Sequence, residues 1–130
     1  METGNRVRFV TTDPPPILII DYSDLKEDQM IEVLMNSAEV VKEHNKPVMV
    51  VSIFNDRCFV TSKFMRQVEQ NTSKLQHLLW KQSVVGLSPV KKLILKGYNF
   101  MFNFDIQNFD TKEEAIKYLL TKSGSLVNNN

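Results

Sequence analysis

The chain has 130 residues, which is enough for one domain with a substantial hydrophobic core. Hydrophobic residues make up 42% and charged residues 24%, as in water-soluble globular proteins, and the single cysteine, Cys58, excludes an internal disulfide. The net charge is only +1, and the basic stretch between Glu69 and Asp105 contains no arginine, which argues against nucleic-acid binding.

The N-terminal segment predicts two strands joined by a turn. Apolar and polar side chains alternate from Arg6 to Thr12, as in an edge strand. The prolines of "TDPPP" then interrupt the chain, and the run "ILII" at residues 17–20 is typical of a strand that is buried on both faces. The two strands are close enough in sequence to form a hairpin.

A capping box predicts the start of the first helix. Asp24 precedes Glu27 by three residues, the spacing at which each side chain can bond the backbone N–H of the other residue. Apolar residues then recur three and four positions apart, and the helix must end before Pro47. The run "VMVVSIF" at 48–54 predicts a second buried strand, because it is apolar and rich in β-branched residues.

Thr61 or Ser62 supplies the cap of a second predicted helix. Its apolar stripe extends to Leu79, although the polar insert "QNTS" at 70–73 leaves a kink or break open. The strand "SVVGL" follows at 83–87. Its glycine, Gly86, fits either a backbone cradle for a phosphate or close packing of a helix on a strand, and the second interpretation is the more common one.

Ser88 as cap and Pro89 at the first helical position predict a third helix. Beyond it, four aromatic residues fit both a helical and a two-residue period: Tyr98, Phe100, Phe102 and Phe104. We predict helix to about residue 102 and a short strand at 105–109. We expect most of these aromatic side chains to complete the core and one or two to be exposed. Thr111 and Glu114 form another capping box, which begins the last helix, and Gly124 is its stop signal.

The predicted order is β-β-α-β-α-β-α-β-α, which indicates an α/β fold. We expect a mixed, mostly parallel sheet of four or five strands with the helices mainly on one face, because crossovers between parallel strands are right-handed. Residues 1–123 then form a single domain, and 124–130 form a flexible tail. We find no signal peptide and no apolar run that could span a membrane, so we expect a cytoplasmic protein.

Four segments resemble, in this order and at this spacing, bacterial STAS-like domains: "LIIDYSDL", "VSIFNDRCFVTSKFMRQVEQ", "VVGLSPVKKLILKGYNFM" and "FDTKEEAIKYL". This is the fold of the anti-sigma-factor antagonists, and its sheet layout is also similar to that of the CRAL-TRIO lipid-exchange domains. The resemblance covers about residues 7–120. It implies a mixed sheet with helices mainly on one side, and a regulatory domain without catalysis that binds a protein partner in bacterial signalling.

The resemblance also implies a phosphorylation site. Antagonist-type STAS domains are phosphorylated on a serine that begins the helix after a parallel strand. The corresponding segment here is "CFVTSKF", so the candidate acceptors are Ser62 and Thr61. A phosphate at this helix N-terminus would be favoured by the macrodipole, whereas the alternative is that both residues serve only as helix caps.

The ends of the predicted strands form the candidate surface for a ligand or partner, since open α/β sheets bind ligands there. Its residues are Asn55, Asp56, Arg57, Gly86, Ser88, Tyr98, Phe100 and Phe102. A protein partner is the leading hypothesis, and a carrier of a lipid or small apolar molecule is the alternative. An enzyme is the weakest candidate, because no pair of nucleophile and base can be named.

Neither a cofactor nor a metal ion is expected. Three carboxylates, Asp21, Asp56 and Asp110, fall near strand ends, where aspartate commonly serves as a turn or cap residue. An exposed hairpin edge can pair across a two-fold axis, so a homodimer stays open.

Overall fold

Five strands form one sheet in the computed structural model, which describes residues 4–121. The strands are β1 (Val7–Phe9), β2 (Ile17–Asp21), β3 (Val48–Ile53), β4 (Leu79–Val85) and β5 (Gln107–Phe109). The helices are α1 (Glu27–His44), α2 (Ser62–Leu75), α3 (Pro89–Phe102) and α4 (Lys112–Leu120), with short 3₁₀ turns at Gly4–Arg6 and Gln76–Leu78.

The strands lie side by side in chain order, from β1 to β5. β1 is antiparallel to β2, and each later strand is parallel to the one before it. The predicted α/β class and the mixed, mostly parallel sheet are therefore confirmed. Because every crossover advances in the same direction and crossovers are right-handed, α1, α2 and α3 all lie on one face of the sheet.

The last helix covers the opposite face. Ala115 and Leu119 of α4 pack against a second core cluster, to which the strands contribute Ile17, Ile19, Met49, Val51 and Val85. The intervening strand residues, such as Leu18 and Val50, face α1 and α2. Since β2 and β3 are covered on both faces, their sequences are continuously apolar rather than alternating.

The capping box predicted at Asp24 and Glu27 is wrong. α1 begins two residues later, with Lys26 as the capping residue, whose backbone N–H donates to Gln29 Oε1 at 3.2 Å. The Asp24 side chain instead bonds residues of the β3–α2 loop, and its backbone is left-handed with φ of 65°. The Asp24 side chain therefore makes a tertiary contact instead of the helix cap that the local spacing predicts.

The boundary between α2 and β4 also differs from the prediction. α2 ends at Leu75 rather than near Leu79, and β4 begins at Leu79 rather than at residue 83. Leu75 and Leu78, which lie on either side of this boundary, are both buried. The helical spacing of apolar residues therefore extends past the end of the helix itself. No break occurs at residues 70–73, because Thr72 points inward from a continuous helix.

The later boundaries follow the prediction closely. Ser88 caps α3, Pro89 is its first residue, and the helix ends at Phe102 before a left-handed Asn103. Thr111 caps α4 as predicted, with the Glu114 N–H donating to Thr111 Oγ1 at 3.1 Å, but the Glu114 carboxylate accepts from the Thr111 hydroxyl rather than from its backbone N–H. β5 is shorter than predicted, and Gly124 and the tail lie outside the described residues.

Two glycines provide a matched test of the backbone. Gly86 has φ of +84°, and a Cβ at that position would lie 2.1 Å from the Phe54 carbonyl oxygen, whereas a Cβ on Gly97 in α3 would have nothing within 4 Å. We expect Gly86→Ala to lower the free energy of unfolding by about 2 kcal/mol or more, through strain and the clash. Gly97→Ala should raise it by about 0.5–1 kcal/mol through helix propensity. Urea unfolding of both variants checks the pair, and equal effects would contradict it.

Candidate functional site

A cavity of about 130 Å³ lies between the sheet and the three helices on one face. Its floor consists of inward-facing residues of the central strands, mainly Val50, Ser52, Gln82 and Val84. Its walls come from α1, α2 and α3, with Leu34, Ala38, Phe64, Met65, Val68, Leu95 and Tyr98 among the lining residues. Most of this lining is apolar, as in ligand pockets generally.

The cavity exists because α3 packs loosely. Tyr98 is the one buried residue of this helix, while Leu95 and Phe102 are only half-buried. On the facing side of α2, Met65 and Val68 are half-buried as well. We take the cleft between α2 and α3, where these half-buried side chains meet solvent, as the entry to the cavity.

Three hydrogen-bonding groups lie at the base of the cavity. The Tyr98 hydroxyl bonds Thr72 Oγ1 at 2.5 Å across the gap between α3 and α2. Beside them, the buried Nε2 of Gln82 has no hydrogen-bond partner among the described residues. A buried donor without a partner costs about 1–3 kcal/mol, so this amide is available to an acceptor that enters the cavity.

The two phenols of the cavity are neutral donors at physiological pH. Burial raises the pKa of Tyr98, and the nearby Thr72 hydroxyl and Gln82 side chain oppose that shift only in part. Burial likewise raises the pKa of Tyr22, which stacks on Phe54 with ring centroids 5.0 Å apart. The interior thus offers apolar walls, neutral hydroxyls and one unpaired amide, which suits an uncharged group with a hydrogen-bond acceptor.

Size limits the ligand further. An apolar engineered cavity of about 150 Å³ in another protein binds benzene, so a cavity of 130 Å³ fits roughly one ring or a short acyl group. A larger groove of about 390 Å³ lies between α1 and α2, but charged and polar residues of the surface line it, among them Glu39, Lys42 and Lys74. We therefore take the smaller, apolar cavity as the candidate site.

The predicted rim residues Asn55 and Arg57 form a loop cluster with Asp24. Asn55 Nδ2 donates to Asp24 Oδ1 at 2.8 Å, and Arg57 donates to the same oxygen at 3.2 Å. The bonds from Asn55 and then Arg57 hold the pKa of Asp24 below its usual value. The cluster joins the β2–α1 loop to the β3–α2 loop, while Asp56 is exposed next to it.

The two candidate phosphate acceptors differ in their surroundings. Thr61 caps α2 by accepting from the Phe64 N–H at 3.1 Å, and its hydroxyl donates to the Glu27 carboxylate. A phosphate on Thr61 would therefore meet a negative charge. Ser62 is the first residue of α2 and is exposed.

Gly86 and Ser88 have local structural roles at the end of β4. Gly86 allows the Phe54 carbonyl to approach the backbone closely. The Ser88 hydroxyl accepts from the Lys91 N–H at 3.4 Å as the cap of α3. The Nζ of Lys91 donates to the Cys58 carbonyl at 2.8 Å, which ties the start of α3 to the β3–α2 loop.

The aromatic residues of α3 divide into two groups. Tyr98 and Phe102 pack with Phe104, with centroids of Tyr98 and Phe102 5.0 Å apart, whereas Phe100 is 91% exposed. The predicted surface is thus not one site: Tyr98 lines the cavity, Asn55 and Arg57 belong to a loop cluster, and Phe100 faces solvent.

Sequence reasoning missed Gln82, Thr72 and the cavity itself. Gln82 lies two positions before Val84 and therefore on the same face of β4. The sequence prediction starts this strand at residue 83, so it does not place Gln82 on that face. The signal for Thr72 was a hydroxyl on the apolar stripe of α2, within the segment that had suggested a kink.

The three strand-end aspartates do not converge. Asp21 bonds the backbone N–H and hydroxyl of Ser23, at 2.9 and 2.6 Å, and Asp56 and Asp110 are exposed. Within residues 4–121, no group of three or more histidine, cysteine or acidic side chains is arranged to hold a metal ion.

Comparisons of the chain with protein-family models, with curated proteins and with solved structures find no match. None of the helices within residues 4–121 has the length and apolar character needed to cross a membrane.

The cap of α2 makes a direct prediction. Thr61→Ala removes the acceptor for the Phe64 N–H and the donor to Glu27, so it should lower the free energy of unfolding by about 0.5–2 kcal/mol. Thr61→Ser keeps the hydroxyl and should retain most of that stability. Thermal or urea unfolding distinguishes them, and equal losses would show that the hydroxyl has no such role.

Substitution of Gln82 allows a sharper test. It should raise the free energy of unfolding, whereas substitution of a buried polar residue that has a hydrogen-bond partner lowers it. Gln82→Leu should raise the free energy of unfolding by about 1 kcal/mol, since it removes an unpaired buried amide. Its neighbour Ser83 donates to the Ala115 carbonyl at 3.3 Å on the other face, so Ser83→Ala should lower stability by about 0.5–1.5 kcal/mol. A loss of stability in Gln82→Leu would mean that the amide is satisfied in the folded protein.

Proposed function

We propose that the protein is a non-enzymatic binding module whose ligand is a small, mainly apolar molecule held in the cavity beneath α3. The observation that carries this proposal is the apolar cavity of about 130 Å³ with the unpaired Gln82 amide at its base. Apolar pockets with a few directed polar groups are typical ligand sites, because the walls supply affinity and the polar groups fix orientation.

The ligand chemistry follows from the lining. The apolar walls take one ring or a short acyl group, and the Gln82 amide and the Tyr98 hydroxyl donate to a carbonyl or ether oxygen. A carboxylate does not suit the interior, because burying it unpaired is costly and the phenols are neutral. This volume also favours a small molecule over the long-chain lipid that the carrier hypothesis included.

The matched probes for this site are cyclohexanone and methylenecyclohexane, single rings of similar shape that differ in one carbonyl oxygen. We expect both to raise the melting temperature of the protein, with cyclohexanone binding more tightly through the Gln82 amide. In Gln82→Leu the preference for cyclohexanone should fall by about 2–10-fold, because one neutral hydrogen bond contributes about 0.5–1.5 kcal/mol. Isothermal calorimetry or ligand-observed NMR measures the ratio.

A blocked cavity supplies the control. Val68→Phe places a ring in the cleft between α2 and α3, so it should abolish binding of both probes while the protein stays folded. Val90→Phe makes the same change on the exposed side of α3, where Val90 is 74% exposed, and should leave binding unchanged. If neither probe binds the wild type, or if Val68→Phe binds as well as the wild type, the proposal is wrong.

A protein-binding role is the second candidate, and one observation favours it. The Asp24, Asn55 and Arg57 cluster fixes the β3–α2 loop, and Phe59 of this loop is 61% exposed beside it. The STAS-like family and bacterial signalling rest on the sequence resemblance alone. Phosphate found on Ser62 in protein from its source cells would support this role, and unmodified peptides under all growth conditions would count against it.

A further inference from the structure

The outer face of α3 is a second feature that the cavity does not explain. We use this name for the exposed apolar residues Val90, Leu93, Phe100 and Met101. Val90 and Leu93 are 74% and 70% exposed, and Phe100 is 91% exposed. Single exposed apolar residues are normal on protein surfaces, but a contiguous group of large ones marks an interaction surface.

Helical geometry makes these residues contiguous. At 3.6 residues per turn, Leu93 and Phe100 lie two turns apart on one line, and Val90, Gly97 and Met101 lie next to them. The face is convex, because it is the solvent side of an outermost helix. Lys92 and Lys96 are both exposed and lie along one flank of this apolar stripe.

The charge of α3 is entirely positive. It contains Lys91, Lys92 and Lys96, and no acidic residue occurs between Glu69 and Asp105. Lys91 and Lys92 lie at the N-terminal end of α3, where a positive charge opposes the macrodipole and does not stabilise the helix. Lys91 is explained by its bond to the Cys58 carbonyl, but the exposed Lys92 and Lys96 have no such structural role among the described contacts.

We propose that the outer face of α3 binds the surface of an anionic lipid bilayer. The helix would lie in the plane of the interface, with Leu93 and Phe100 among the upper acyl chains and Lys92 and Lys96 beside the lipid phosphates. Positive charge flanking an apolar stripe is complementary to this surface, which combines anionic headgroups with an apolar interior.

The flanking charge, rather than the apolar residues themselves, disfavours a protein partner on this face. Protein interfaces are depleted of lysine, whereas Phe100 and Met101 belong to residue types that such interfaces favour. A convex helix face also needs a matching groove on a protein, whereas a bilayer adapts to it. A bilayer is therefore the occupant that the residues favour.

The test is co-sedimentation of the full chain with vesicles. We expect binding to vesicles of phosphatidylcholine mixed with phosphatidylglycerol, weak binding to phosphatidylcholine alone, and a decrease as salt is raised. Phe100→Ser should weaken binding to the anionic vesicles by about tenfold, through lost apolar burial. Met35→Ser, which removes an apolar residue that is 44% exposed on α1, should leave binding unchanged.

A charge pair of variants tests the electrostatic part. Lys92→Glu and Lys96→Glu should each weaken binding by about fivefold or more, since a lysine near an anionic surface contributes roughly 1 kcal/mol. Lys46→Glu, in the turn before β3, is the matched control and should bind like the wild type. Val68→Phe should also bind vesicles normally, so failure of the cavity proposal and failure of this one are distinguishable.

Two results would overturn the proposal. One is the absence of sedimentation with anionic vesicles at low salt. The other is a concentration-dependent dimer in analytical ultracentrifugation that Phe100→Ser dissociates, because a second copy of the chain would then cover this face.

Discussion

The direction of the strand order is the constraint from which the rest of the structure follows. Each crossover from β2 to β5 moves one strand further along the sheet, and right-handed connections place α1, α2 and α3 side by side on one face. The strand order within residues 4–121 does not reverse, so the crevice that a reversal creates in doubly wound sheets is not formed. A binding site must then form elsewhere, between the helices and the sheet.

α3 is the outermost of the three helices, and its position explains both of its unusual features. The edge strand beneath it, β5, has only three residues, so this helix has less sheet to cover than α1 or α2. Its apolar residues are consequently divided between an inner side, where Tyr98 is buried, and an exposed outer side.

Both ends of α3 are nevertheless fixed. At its start, Lys91 bonds the Cys58 carbonyl, and near its end the Asn99 amide pairs with the backbone of Ile106, at 2.9 and 3.0 Å. Gln76 also donates to the Phe102 carbonyl at 3.0 Å. These contacts fix the ends of the helix, and between them the bond of the Tyr98 hydroxyl to Thr72 Oγ1 links α3 to α2.

Local signals predicted the fold well, and long-range contacts account for the errors. Strand runs, Ser88 with Pro89, and Thr111 with Glu114 each act within a few residues, so the sequence was sufficient for them. Asp24 was misassigned because its partners Asn55 and Arg57 are distant in sequence. The cavity was not predictable for the same reason, since Thr72, Gln82 and Tyr98 meet only through the crossovers.

The polar side chains on the two faces of β4 differ in their hydrogen bonding. On the α4 face, Ser83 donates to the Ala115 carbonyl, and Lys81 Nζ donates to the Tyr118 carbonyl at 2.7 Å and to the Thr121 carbonyl at 3.2 Å. Burial lowers the pKa of Lys81, but the carbonyls at the end of α4 are favourable partners for its charge. Lys81 and Ser83, the two neighbours of Gln82 in the sequence, thus both have hydrogen-bond partners on the α4 face. One residue away, on the cavity face, the Gln82 Nε2 has no partner among the described residues. The proposed ligand would supply the missing acceptor, because its carbonyl or ether oxygen can accept this hydrogen bond.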